Sequence, residues 1–189
     1  MTKPKNTPNH LRIIAGTWRG RKISFTDKAD IRPTLDRIKE TLFNWLQGEI
    51  TNARCLDLFS GSGALGFEAL SRGADSVVFA DQSNDTLQHI KQQLCMLDAN
   101  NAQCMNLSLP RDLIRIKRPF DIIFVDPPYD TNLLNDTLTA LSKSELTQNG
   151  TLIYGEAEKR YDLILPNGFE VLRHKTSKHI QYFLLKAML

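Results

Sequence analysis

The sequence predicts an α/β fold of the doubly wound kind. From residue 53 short apolar runs alternate with segments whose apolar residues recur at helical spacing, and after residue 160 that rhythm gives way to two strand-like runs. Strands are expected near 53–58, 76–80, 102–106, 120–125 and 150–155. Helices are expected between them near 64–72, 84–97, 110–116 and 132–143. Such units wind right-handedly and build a parallel sheet covered on both faces. The runs near 169–174 and 179–186, separated by Lys175 to Lys178, read as an antiparallel closing hairpin. The expected sheet is seven-stranded and mostly parallel. Upstream, Leu11 to Phe25 reads as two extended segments around Gly16 and Gly20, a small β-hairpin. Pro33 resets the chain, and Thr34 can cap a helix over Leu35 to Leu46, in which Ile38, Leu42, Phe43 and Leu46 share a face. Residues 1–32 are therefore read as an N-terminal hairpin extension and residues 33–189 as the Rossmann-like domain.

Composition narrows the function classes. The 189 residues are 41% hydrophobic and 24% charged, within the globular range, and no apolar run is long enough to span a bilayer. Cys55, Cys95 and Cys104 form no CxxC or Cys/His cluster, which argues against a disulfide framework or a zinc site. Met1 to His10 has no apolar core of a secretory signal, so a reduced, cytoplasmic, metal-free protein without a membrane partner is expected. The net charge of +3 conceals an asymmetry. Residues 1–40 hold ten Lys/Arg against four acids, a net of +6, which leaves −3 for the rest. A basic arm on a mildly acidic body suits contact with a polyanion, although a solvated tail would have the same composition.

Cys55 to Gly66 places a GxGxxG, at Gly61, Gly63 and Gly66, between a predicted strand and a predicted helix. Gly61 and Gly63 permit a tight turn and close backbone approach to a ligand; Gly66 permits close helix–strand packing. Asp81 ends the next strand, where its carboxylate can accept from both hydroxyls of a ribose. A nucleoside-containing cofactor is expected. NAD(P) and S-adenosylmethionine both suit the architecture, but the latter brings an ammonium in place of a pyrophosphate. Asp57 could meet that ammonium, or could simply cap the loop.

The fourth strand ends in Asp126-Pro127-Pro128-Tyr129, facing the same crevice. This segment suits a planar base with an exocyclic amine. The Asp126 carboxylate can accept one N–H and a carbonyl of the Pro-Pro segment the other, and the prolines leave a stiff rim without N–H donors. Tyr129 can stack on the base. Such a site would act mainly by positioning the amine in line with a sulfonium methyl.

These segments resemble the RsmD family, bacterial methyltransferases that modify a guanine N2 in 16S ribosomal RNA with S-adenosylmethionine as donor. The resemblance is carried by Arg12 to Lys22 (RIIAGTWRGRK), Arg32-Pro33-Thr34 to Arg37, Glu40 to Asn44, Leu56 to Gly66, Glu68 to Gly73, and Phe124 to Tyr129. It implies a class I S-adenosylmethionine-dependent methyltransferase fold. It further implies cofactor contacts at Asp57, Ser60, Gly61, Ser62, Gly63, Leu65, Asp81 and Gln82, base contacts at Asp126 to Tyr129, and 16S RNA, in a 30S subunit or assembly intermediate, as partner. In the broader methyltransferase pattern an Asp after the third strand meets the adenine amine. Here the segment is Asn106 to Leu109, and Ser108 is the candidate. The basic segment, with Arg12, Trp18, Arg19, Arg21, Lys22 and Arg32, is expected to grip RNA, Trp18 either stacking on a base or anchoring the arm. Three other readings stay open: an adenine-N6 methyltransferase on DNA or another RNA, an NAD(P)-dependent oxidoreductase, and a non-catalytic RNA-binding module.

Overall fold

The computed structural model describes residues 9–25, 33–129 and 131–188. Arg32 and the Thr34 side chain lie outside the described residues. In chain order the elements are β1 (Asn9–Arg12), β2 (Lys22–Phe25), α1 (Pro33–Trp45), β3 (Arg54–Leu58), α2 (Ala64–Ser71), β4 (Ser76–Asp81), α3 (Asn84–Met96), β5 (Ala102–Asn106), β6 (Ile122–Val125), α4 (Leu133–Leu141), β7 (Leu152–Glu158), β8 (Phe169–Thr176) and β9 (Ile180–Ala187). Strands β1 and β2 form a separate antiparallel hairpin, and the other seven form one sheet in the order β5-β4-β3-β6-β7-β9-β8. The first five of these pair in parallel; β9 pairs antiparallel with both β7 and β8.

Each expected strand is present. The segment near 110–116 is not an α-helix, however, but a 3-10 turn over Arg111–Arg115. Asp112 explains the short turn: its carboxylate accepts from the Ser108 N–H at 2.9 Å, while its own N–H donates to the Ser108 carbonyl at 3.0 Å. Only Leu113 and Ile116 of this stretch are buried, too few to hold two helical turns against the sheet.

Two apolar layers cover the sheet. One joins Ile38, Leu42 and Phe43 of α1 to Phe67 of α2 and Leu87, Ile90 and Leu94 of α3, and it takes in Ile13 and Ile23 of the hairpin. The other packs Leu134, Leu138 and Leu141 of α4, with Leu113 and Ile116, against Leu56, Leu58, Ile123 and Val125. Central strands buried on both faces read as continuous apolar runs for this reason; β6 has no exposed residue.

Because β3 has β4 on one side and β6 on the other, the chain reverses its winding direction between β3 and β6. That switch point opens a crevice at the strands' carboxyl ends. Register makes the ends level. Leu58 pairs with both Ala80 and Val125, and Val125 pairs with Gly155. The residues one step further, Asp81, Phe59, Asp126 and Glu156, therefore emerge side by side along the rim.

Candidate active site

The glycine loop is held from beneath. The Ser60 hydroxyl donates to the carbonyls of Asp57 at 2.7 Å and Ala80 at 3.2 Å. Asp57 is buried, and its Oδ2 accepts from the Gly66 N–H at 2.9 Å. Of the two roles open to Asp57, this geometry displays the loop brace. Burial pushes its carboxyl well above the usual range, the Gly66 N–H opposes the shift, and the charges of Asp126 and Asp81 add to it. A Cβ at Gly66 would lie 2.2 Å from the Phe79 ring and 2.9 Å from Asp57 Oδ2, so only glycine permits α2 to approach the sheet this closely. Gly63 precedes α2 at φ +75° and offers no side-chain cap. Ser62 and Leu65 flank it, both half-buried.

Asp81 crosses to the same loop. Its Oδ2 accepts from the Gly61 N–H at 3.1 Å and its Oδ1 from the Ser83 N–H at 2.8 Å, which ties the end of β4 to the loop after β3. Gln82 is exposed beside it, its carbonyl accepting from Asn106 Nδ2 at 2.9 Å. Ser108 is half-buried, and its backbone is engaged by Asp112 as described above.

Asp126 is partly buried, Pro127 buried, and Pro128 and Tyr129 exposed. The Pro128 carbonyl accepts from the Thr131 hydroxyl at 2.8 Å. Burial pushes the Asp126 carboxyl up to about 6. Next to it stands a group the sequence did not single out. Glu156 is 5% exposed and accepts from the Tyr154 hydroxyl through Oε1 at 2.5 Å, while its buried Oε2 has no partner. Burial first, and the Asp126 charge second, push the Glu156 carboxyl up to about 8 against the pull of the Tyr154 hydroxyl. The available signal was positional: Tyr154-Gly155-Glu156 spans the point where the parallel pairing of β7 with β6 ends, at the carboxyl edge of the sheet. A cavity of about 250 Å³ opens here, walled by Pro127 to Tyr129, Asn132, Leu134, Glu156 to Glu158 and Tyr161.

The hairpin is bound to the domain by a buried carboxylate. Glu68 of α2 is fully buried and accepts from the N–H groups of Ile14 at 2.9 Å and Ala15 at 3.0 Å. It also pairs with Arg72 at 2.7 Å and with Lys39 of α1 at 3.5 Å. Lys39 in turn donates to the Arg12 carbonyl at 2.7 Å. Ser71 completes the junction, its hydroxyl donating to the Ala15 carbonyl at 2.6 Å and accepting from the Trp18 N–H at 3.0 Å. Trp18 packs half-buried on the first apolar layer and so anchors the hairpin. Arg12, Arg19, Arg21 and Lys22 are exposed.

Comparison with known proteins agrees with this layout. The family model described as "Conserved hypothetical protein 95" matches residues 11–186. The chain is 40% identical over 188 residues to Ribosomal RNA small subunit methyltransferase D of Haemophilus influenzae, covering 95% of this chain and 97% of that protein. It is also 40% identical over 181 residues to the protein of the same name from Escherichia coli K12, covering 93% and 91%. The solved structure of the putative methyltransferase YhhF from Escherichia coli superposes with a TM-score of 0.86 at 38% identity, covering 95% of this chain and 98% of that one. A family match spanning the hairpin, the glycine loop and the Asp126 segment together places this chain in the "Conserved hypothetical protein 95" family, that of the RsmD methyltransferases.

Proposed function

We infer that this chain is an S-adenosylmethionine-dependent methyltransferase of ribosomal RNA, and we propose that its target is the exocyclic N2 of one guanine in 16S RNA, reached in the 30S particle or an assembly intermediate. The observation that carries the reading is the level emergence of Asp81, Asp126 and Glu156 around the glycine loop at one switch point. The carboxyls of Asp57, Asp126 and Glu156 are all pushed up, with like charge contributing for Asp57 and Glu156, so the crevice favours a ligand bearing positive charge. A sulfonium and an ammonium meet that demand. A pyrophosphate opposes it, which disfavours a nicotinamide dinucleotide.

Asp57, Ser60, Gly61, Ser62, Gly63, Leu65, Asp81, Gln82 and Ser108 are proposed to hold the cofactor, Asp81 through the acceptor capacity its carboxylate retains beyond Gly61 and Ser83. The bound cofactor supplies an electrophilic methyl group. On the substrate side, ionised Asp126 accepts one N–H of the amine and a Pro-Pro carbonyl accepts the other. Because the Pro128 carbonyl is engaged by Thr131, that second acceptor is assigned to Pro127. Two fixed acceptors orient the nitrogen lone pair, and Asp126 receives the proton that the amine sheds. Arg12, Arg19, Arg21, Lys22 and Arg32 are proposed to grip the RNA, while Trp18 anchors the hairpin that carries the first four.

The test is incubation with labelled S-adenosylmethionine and either naked 16S RNA or 30S particles from cells lacking the enzyme, followed by base mapping. Label at a single guanine N2 is the expected result. Label on adenine, or RNA binding without transfer, would overturn the assignment.

A further inference from the structure

We propose that the β8–β9 turn and the adjoining end of β7 form a second grip on the substrate RNA, holding backbone phosphates beside the target base through Lys159, Arg160 and Lys178. The inference rests on the methyl-transfer reading above and adds an interaction surface separate from the N-terminal hairpin.

Sheet topology brings this turn to the crevice. Strand β9 runs antiparallel to β7 and so begins where β7 ends: Glu158 pairs with Ile180, and the Lys159 N–H donates to the His179 carbonyl at 2.9 Å. On β8, Lys175 pairs with Tyr182, which in turn pairs with Glu156. Glu156 is one residue past the Val125–Gly155 pair, so the chain from Lys175 to His179 stands at or beyond the level of Asp126. Neighbouring strands lie about 4.8 Å apart, which puts β8 roughly 10 Å from β7. Glu158 and Tyr161 both wall the cavity beside Pro127 to Tyr129. Lys159 and Arg160 occupy the turn between those two, closed by the Tyr161 N–H donating to the Glu158 carbonyl at 3.0 Å.

Charge separates the rim from the cavity. The charged residues lining the cavity, Glu156 and Glu158, are both acidic. Around them Lys159, Arg160, Arg173, Lys175 and Lys178 are exposed, and none of the five has a carboxylate partner among the described residues. Arg173 donates to the Leu172 carbonyl, and Lys175 lies over the Trp45 ring at 5.9 Å. Lys159, Arg160 and Lys178 carry neither kind of contact, which makes them the cations most open to a ligand. An acidic protein surface would match the rim alone. A nucleotide matches rim and cavity together, its amine facing the carboxyls and its phosphates the cations.

A charged turn is ordinarily a solvated one, but this turn is braced against the cavity wall. Gln181, 8% exposed, donates through Nε2 to the carbonyls of Tyr161 at 2.7 Å and Glu158 at 3.1 Å, and its Oε1 lies 3.1 Å from His174 Nε2. The Ser177 N–H donates to the Ile180 carbonyl at 2.7 Å. One buried amide thus joins β8, β9 and the cavity wall, and the cations ride on backbone fixed relative to the cavity. Little backbone freedom is left to lose when a ligand binds.

The experiment uses 30S particles from cells lacking the enzyme, labelled S-adenosylmethionine, and two triple variants of the full chain. Lys159→Gln with Arg160→Gln and Lys178→Gln is expected to raise KM for the particle about tenfold to 100-fold near physiological salt, and to flatten the dependence of log(kcat/KM) on log salt by roughly two to three units. Its kcat and its S-adenosylmethionine affinity, the latter by calorimetry, are expected to stay within about twofold of wild type. Lys159→Arg with Arg160→Lys and Lys178→Arg, which keeps the charge, is expected to keep both KM and slope. A photo-crosslinking residue in place of Lys178 is expected to attach to 16S RNA within a few nucleotides of the methylated base. An unchanged slope in the neutral variant, an equal loss in the charge-retaining one, or crosslinks to ribosomal protein alone would overturn the second grip. Wild type that transfers no label to RNA would instead overturn the function on which it rests.

Discussion

In the proposed reaction Asp126 must be ionised to accept an amine proton, yet it stands where ionisation is costly. Its carboxyl is pushed up to about 6 by burial, so turnover at saturating RNA is expected to rise with pH through about 6 and then level off, as a pH profile of kcat would display. Stability runs the other way. An acid whose folded pKa exceeds its unfolded value is neutral in both states at low pH and costs stability as pH rises through the folded value. Asp126→Asn is therefore expected to abolish transfer while binding cofactor normally. It should unfold at higher denaturant than wild type at pH 8, by about 1–3 kcal/mol, with the gain vanishing near pH 4. Asp126 and Asp81 were legible in the sequence because each follows an apolar run and adjoins a turn-forming segment. Glu156 was not, since its burial comes from β9 pairing antiparallel beside β7, a contact between segments more than twenty residues apart. Asp57 lay between these cases. Its position was visible, but its engagement with Gly66 depends on how closely α2 packs on the sheet.

The hairpin explains why two distant sequence motifs occur together. The segment Arg12 to Lys22 and the segment Glu68 to Gly73 are the two sides of one joint, with Glu68 at its centre. Removing that carboxylate leaves Lys39 buried and two backbone donors unpaired, so Glu68→Ala is expected to destabilise the fold by about 3–5 kcal/mol, read as a shift in the urea midpoint. Gly16 permits a sharper dissection. It sits at φ +82°, and a Cβ there would lie 1.7 Å from the Ser71 carbonyl oxygen. Gly16→Ala is expected to release the hairpin, with faster protease cleavage near it and weaker RNA binding but unchanged cofactor binding. The hairpin and the parallel strands were readable from local pattern, and Ile38, Leu42, Phe43 and Leu46 form the buried face their spacing implied. The 3-10 turn over Arg111–Arg115 was not readable: its apolar residues suit a helix, and the exchange between Ser108 and Asp112 that shortens it is a matter of side-chain orientation.

Across the whole molecule the charge asymmetry acquires a geometry. The basic residues of the hairpin lie exposed on a body whose crevice is acidic, so under the proposed function the backbone of an RNA and its target base are drawn to different places. Replacing Arg19, Arg21 and Lys22 together with alanine is expected to weaken RNA binding and to flatten the dependence of log K on log salt by roughly two to three units. An unchanged slope would remove the hairpin from the RNA contact. The joint at Glu68 then has a consequence for target choice. Helix α2 begins at the glycine loop and ends at the hairpin, with Gly63 at one end and Ser71 bonded to Ala15 and Trp18 at the other. One eight-residue helix thus sets the span between the exposed basic hairpin and the glycine loop. Under the proposed function, a protein built this way works as a caliper: it finds its target base by distance and direction from the gripped backbone, and neighbouring nucleotides can vary in sequence so long as that span is kept.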